Sequence, residues 1–184
     1  KSQYFDLIFL FSPTADGGDD LVRFLKIPEK RIFTHPDTKV LDNILKTQKD
    51  FIAEKGLEKS PKILIIFEDI QSNNGRIMNS PSFLKCFIQA RHLNVSTWLL
   101  GQSFTRTPRA CRLQANNIFM FPSSGSEIKI LVEEFCPPHT DKKTFQKLIE
   151  HATKEQYNFL HINMRQPPEK RFRKNLDTIL KIKN

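Results

Sequence analysis

The chain has 184 residues, a formal net charge of +9, and hydrophobic and charged fractions of 39% and 27%. That length suits one domain, here 1–184, with a substantial core, and the composition is ordinary for a soluble globular chain. No segment approaches the roughly 20 apolar residues that a membrane-spanning helix needs, and Phe5–Phe11 lacks the basic flank and small-residue cleavage site of a signal peptide.

In chain order, Tyr4–Phe11 reads as a buried strand, followed by a turn at Ser12-Pro13-Thr14 and a flexible acidic loop at Asp16–Asp20. A short helix is predicted over Asp20–Leu25, stopped by Pro28, and a short strand over Arg31–Thr34. Asp37 caps a longer helix with Val40, Leu41, Ile44, Leu45, Phe51 and Ile52 on one face, closed by Gly56. A strand at Ile63–Glu68 leads into a polar loop, Gln71–Asn79. Ser80-Pro81 is an N-cap with proline at the first helical position, opening a helix to about Arg91. Val95–Leu100 is the next strand, Arg106–Leu113 a short basic helix, and Ile118–Phe121 a strand. Helices are expected over Ser126–Phe135 and Thr140–Thr153, then a strand at Phe159–Ile162 with a short partner at Arg171–Arg173. Strands alternating with helices imply an α/β fold, a mostly parallel sheet with helices on both faces.

Ile63-Leu64-Ile65-Ile66-Phe67-Glu68-Asp69-Ile70 organises the rest. Five apolar residues suit a strand buried on both faces, and two adjacent carboxylates end it. Charges are costly in a core, so the acids belong at the carboxyl edge of the sheet, where open α/β folds bind ligands. This is the pattern of a Walker B strand, in which one acid holds Mg²⁺ and the next polarises water. A core strand whose acids merely begin a loop fits the octapeptide equally well. Gln102 ends the following strand, one crossover away, where a neutral amide can orient water or sense a phosphate; a glutamine that caps a loop is the plainer reading. Arg106, Arg109 and Arg112 recur every third residue and suit an arginine finger, phosphate contacts or simply a solvated basic helix.

The positive charge is uneven. From Arg165 onward, a basic C-terminal tail carries seven bases, among them Arg171, Arg173, Lys174 and Lys183, against two acids. Such asymmetry points to a polyanion, most simply nucleic acid, although basic tails also merely solubilise. Cys86, Cys111 and Cys136 are scattered and odd in number, which suits a reducing compartment. Cys136-Pro-Pro-His139 has ligand-like spacing, but no second pair completes a zinc site.

The chain resembles the genome-packaging ATPases of nucleocytoplasmic large DNA viruses, the poxvirus-type branch of the FtsK–HerA P-loop superfamily. Four stretches carry the resemblance: Phe5–Thr14, Ile65–Ile70, Arg91–Ser96 running into Leu99-Leu100-Gly101-Gln102, and Tyr157–Ile162 with Pro167-Pro168 and Arg171–Asn175. The resemblance implies a P-loop NTPase (RecA-like) core that uses ATP and Mg²⁺. It implies a homo-oligomeric ring around double-stranded DNA, capsid or virion partners, and a place in the host cytoplasm or the virion. Glu68 takes the metal role, Asp69 the water-activating role, Gln102 the γ-phosphate sensor and Arg112 the finger, with Arg106 and Arg109 as second choices. Arg171, Arg173 and Lys174 lie near nucleotide or DNA.

Two departures stand out. No G-x-x-x-x-G-K-[ST] is present, so the first strand and P-loop are expected upstream of Tyr4, and the chain as written is expected to bind ATP weakly. Glu-Asp stands where Asp-Glu or Asp-Asp is usual. A non-catalytic nucleic-acid-binding or interaction module that keeps the ATPase fold is the alternative.

Overall fold

The computed structural model describes residues 4–15, 19–35, 37–72 and 77–181. Residues 16–18 of the expected acidic loop, residues 73–76 of the expected polar loop, and Lys183 lie outside them. The chain forms two compact units, Lys1–Arg112 and Leu113–Asn184.

The first unit contains strands β1 (Leu7–Phe11), β2 (Ile32–Phe33), β3 (Ile63–Glu68) and β4 (Val95–Leu100) in the spatial order β2-β1-β3-β4. All three pairings are parallel. Helices α1 (Asp20–Leu25), α2 (Thr38–Lys55) and α3 (Pro81–Ile88) supply the crossovers, and α4 (Arg109–Gln114) follows β4. Strand β3 is central, and Ile63 through Phe67 are all buried. Its alternation divides the core in two. Ile63, Ile65 and Phe67 face α2 and α3, joining Phe11, Leu41, Ile44, Leu45, Phe83 and Cys86. Leu64 and Ile66 face the other way, with Ile8, Leu10, Val22 and Ile27. Burying each such side chain stabilises the unit by roughly 1.5–3 kcal/mol. On the α2 side, Phe67 packs into an aromatic group, tilted against Phe11 at 5.3 Å and edge-on to Phe83 at 4.8 Å between ring centroids.

The helix ends follow the chemistry expected of them. The Asp37 carboxylate accepts the Lys39 amide at 2.8 Å, and the Ser80 hydroxyl accepts the Phe83 amide at 3.2 Å. Gly56, at φ +87°, ends α2. Buried Gln48 on α2 donates to the Pro61 and Leu93 carbonyls at 2.8 and 2.9 Å, tying together the amino ends of β3 and β4. The helix predicted to reach Arg91 ends at Ile88, and a 3₁₀ turn, Ala90–Leu93, carries the chain to β4.

The second unit has strands β5 (Asn117–Met120), β6 (Leu160–Asn163), β7 (Phe172–Lys174) and β8 (Thr178–Ile179) in sequential order. Every pairing here is antiparallel, a feature that alternating helices and strands do not register. Helices α5 (Gly125–Phe135) and α6 (Lys142–Ala152) separate β5 from β6. Ile118, Met120, Leu160, Ile162 and Phe172 are buried, and Phe145 of α6 meets Phe172 edge-on at 5.0 Å. The basic stretch from Arg165 is therefore structured through β8. Buried Phe172 anchors it, and Asn175, at φ +56°, turns it into β8.

Candidate active site at the carboxyl edge of the parallel sheet

Strand β3 ends on Glu68, in register with Leu100 of β4. Asp69 then leaves the extended conformation for φ +49°, a left-handed backbone that aspartate tolerates better than most residues. Its amide donates to the Leu100 carbonyl at 3.2 Å, which draws the ends of β3 and β4 together. The Gln102 amide donates to Asp69 Oδ1 at 3.4 Å. The two sequence-predicted residues, 33 positions apart, thus meet at the carboxyl edge.

Glu68 is half-buried, and its Oε2 is buried without a hydrogen-bond partner among the described residues. A carboxylate oxygen held in that state suits a cation. Among the described residues, no group of three or more His, Cys, Asp or Glu side chains is placed to hold a metal ion. The unpartnered Glu68 oxygen is the donor that a Mg²⁺ ion at this edge would use, since Mg²⁺ takes one or two carboxylates and completes its shell with water and phosphate oxygens.

The arginines separate by role. The expected helix from Arg106 starts only at Arg109, because Pro108 precedes its first turn and Cys111 and Arg112 bond back to the Pro108 carbonyl. Arg106 lies in the preceding turn, so the three arginines do not share one helical face. Arg112, the sequence choice for the finger, is only 8% exposed. Its guanidinium donates to the carbonyls of Phe104 and Thr107 and lies over the Phe104 ring at 5.3 Å. Arg106 and Arg109 are exposed.

A residue that sequence reading left in a polar loop also belongs to this edge. Gln71 follows Asp69 by two positions and is buried. Its side chain bonds to Ser103 and Thr107 in the β4–α4 segment. Nothing in a polar run marks it. Gly101 was the available signal, since a glycine at a strand end often admits a close neighbour.

Arg171, Arg173 and Lys174 lie in the second unit. Lys174 pairs with Glu155 at 3.0 Å, which holds the Glu155 carboxyl below its usual range, helped by Asn158. Arg173 donates to the Leu176 carbonyl at 3.0 Å. Nε of Arg171 and of Arg173 is buried without a partner among the described residues. A broad open concavity of about 850 Å³, lined in part by Asp6, Lys62 and Asn94, opens at the amino ends of the parallel strands, away from the acids. Among the described residues, no helix is long and apolar enough to cross a membrane.

The α/β fold is similar to that of a viral genome packaging NTPase. The genome packaging NTPase B204 from Sulfolobus turreted icosahedral virus 2, solved in complex with ATP-gammaS, superposes with TM-score 0.61 at 12% identity, over 96% of this chain and 84% of that one. The same protein in complex with AMP gives 0.60 at 12% identity, over 95% and 83%. B204, the DNA-packaging ATPase from Sulfolobus turreted icosahedral virus, gives 0.51 at 13% identity, over 86% and 78%. No curated protein matches the sequence. A family model described as Poxvirus A32 protein matches residues 2–163, and the chain belongs to that family.

Proposed function

We propose that this chain is the catalytic core of an ATP-driven motor that moves viral double-stranded DNA into a capsid. The observation that carries the reading is the Glu68-Asp69 pair at the end of the central buried strand, with Gln102 of the neighbouring strand 3.4 Å from Asp69. Membership of the poxvirus A32 protein family supports it, as do the fold neighbours, described as genome packaging NTPases in complex with ATP-gammaS or AMP.

A Mg²⁺ ion bound with ATP would supply positive charge to the transferring phosphoryl group. Glu68 contributes a carboxylate oxygen to hold it. Asp69 orients and polarises the attacking water. Gln102 senses the γ-phosphate and passes its state through its contact with Asp69. The chains assemble as a homo-oligomeric ring, and exposed Arg106 and Arg109 are better placed than buried Arg112 to reach a neighbouring copy. Arg112 instead shapes the loop that presents them. In the second unit, Arg171, Arg173 and Lys174 supply positive charge for phosphate contacts. A packaging motor works beside capsid proteins, in the host cytoplasm or the virion.

The test is steady-state hydrolysis of Mg-ATP by the full natural chain, with and without double-stranded DNA. Turnover stimulated by DNA is expected. Salt-sensitive DNA binding with no turnover would instead favour a non-catalytic nucleic-acid module.

A further inference from the structure

We propose that Gln71 is the positioning residue that fixes Gln102 against Asp69 and ties that pair to the arginine-bearing segment beyond it. The inference rests on the ATPase reading above.

Both ends of the Gln71 carboxamide act on one loop. Its Oε1 accepts the Ser103 amide at 2.9 Å, and its Nε2 donates to the Ser103 carbonyl at 2.6 Å. A single side chain thus satisfies both backbone groups of the residue after Gln102. Only a carboxamide places a donor and an acceptor side by side in this way; a carboxylate accepts but cannot donate. Nε2 also reaches Thr107 Oγ1 at 3.2 Å. The Thr107 carbonyl in turn accepts from the Arg112 guanidinium. The connections run without a gap from Asp69 and Gln102 through Ser103 and Thr107 to Arg112.

Gly101 fits the same arrangement from the other side. A Cβ at that position would lie 2.8 Å from Gln71 Nε2 and 3.0 Å from its carboxamide carbon. Any side chain there pushes the amide off Ser103. Gln71 stands two residues after Asp69, and Ser103 one residue after Gln102. The clamp therefore fixes the separation of the acid and the sensor through the backbone on both sides.

The experiment uses the full natural chain and two substitutions, Gln71→Met and Gly101→Ala. The first keeps side-chain length and removes the hydrogen bonds; the second displaces the amide without changing it. In both, kcat for Mg-ATP should fall by about tenfold or more with KM within about twofold, since positioned groups act chiefly in the transition state. Amide exchange over residues 101–108 should quicken by about tenfold, while amides of the central strands stay protected. In a Gln102→Ala background, Gln71→Met should cost less than about twofold further, because a residue acting through another is not additive with it. An unchanged kcat, or full additivity with Gln102→Ala, overturns the inference. Active wild type with an impaired Gln102→Ala and a normal Gln71→Met removes this inference alone. Wild type without any hydrolysis removes the ATPase reading and the inference with it.

Discussion

Gln102 Nε2 stands 3.4 Å from Asp69 Oδ1, across the ends of two adjacent parallel strands. The contact is long for a hydrogen bond and exposed, so it holds the pair in register without locking it. What brings the two together is backbone: the left-handed turn at Asp69 and its amide bond to the Leu100 carbonyl. The neutral amide can leave the carboxylate for a phosphate, and water can take its place, at less electrostatic cost than an arginine paired with the same carboxylate would incur.

Asp69→Asn tests the chemistry without disturbing the turn, because asparagine also accepts positive φ. Hydrolysis should fall by about 100-fold or more, the scale of a lost general base, while ATP affinity stays within a few-fold. Steady-state turnover and equilibrium nucleotide binding on the same preparation check it. Turnover near the wild-type rate would remove Asp69 from the catalytic role.

The turn itself predicts a stability difference. Asp69→Val places a β-branched residue at φ +49° and should cost about 1–2 kcal/mol, whereas Asp69→Gly relieves the strain and should be better tolerated. Urea unfolding of the two variants separates backbone strain from the loss of the carboxylate, which they share. Equal destabilisation would contradict the role given to the left-handed backbone.

The arginines should divide between stability and activity. Arg112→Ala strips the Phe104 and Thr107 carbonyls of a buried donor and should destabilise the chain by about 1–3 kcal/mol. Arg106→Ala is an exposed change and should stay within about 0.5 kcal/mol of wild type. If Arg106 reaches a neighbouring copy, mixing Arg106→Ala subunits with Asp69→Asn subunits should restore part of the activity that each lacks. Mixtures no more active than their components would leave Arg106 outside the finger role.

Much of the first unit was legible because its signals are local. An unbroken apolar run marks β3, Asp37 and Ser80 mark helix starts, and Gly56 marks an end. Alternation of helix and strand carried the parallel order, and with it the meeting of Asp69 and Gln102. What stayed hidden depends on tertiary placement. Gln71 is one polar residue in a polar run, and only its burial under Gly101 distinguishes it. Arg112 shares its spacing with Arg106 and Arg109, and spacing cannot say which of them turns inward. In the second unit, β8 is two exposed residues held by a turn at Asn175, too short for any periodicity. The short partner strand expected at Arg171–Arg173 is there as β7, shifted by one residue and anchored by Phe172, although its charges also read as part of a basic tail.

The second unit carries a pH dependence of its own. His161 is buried, stacked on Phe119 at 4.7 Å, and paired through Nε2 with Asn117 Oδ1 at 3.0 Å. An amide oxygen can only accept, so Nε2 carries the proton and Nδ1 is bare. Nδ1 is buried with no partner among the described residues, and Arg173 faces His161 across the sheet. Burial first, and Arg173 second, push the imidazole below its ordinary value of 6.5. The unfolded chain therefore takes up this proton before the folded one does. Stability from this group is full above about pH 6.5, falls as pH drops through the window down to the lowered folded value, and then levels off. Glu155 is also lowered, held below 4.5 by its bond to Lys174, so its contribution is lost at more acid pH than the upper edge of the His161 window. Urea unfolding between pH 8 and pH 5 should show a decline that His161→Phe, which keeps a ring against Phe119, reduces. An equal decline in that variant would assign the effect to another group.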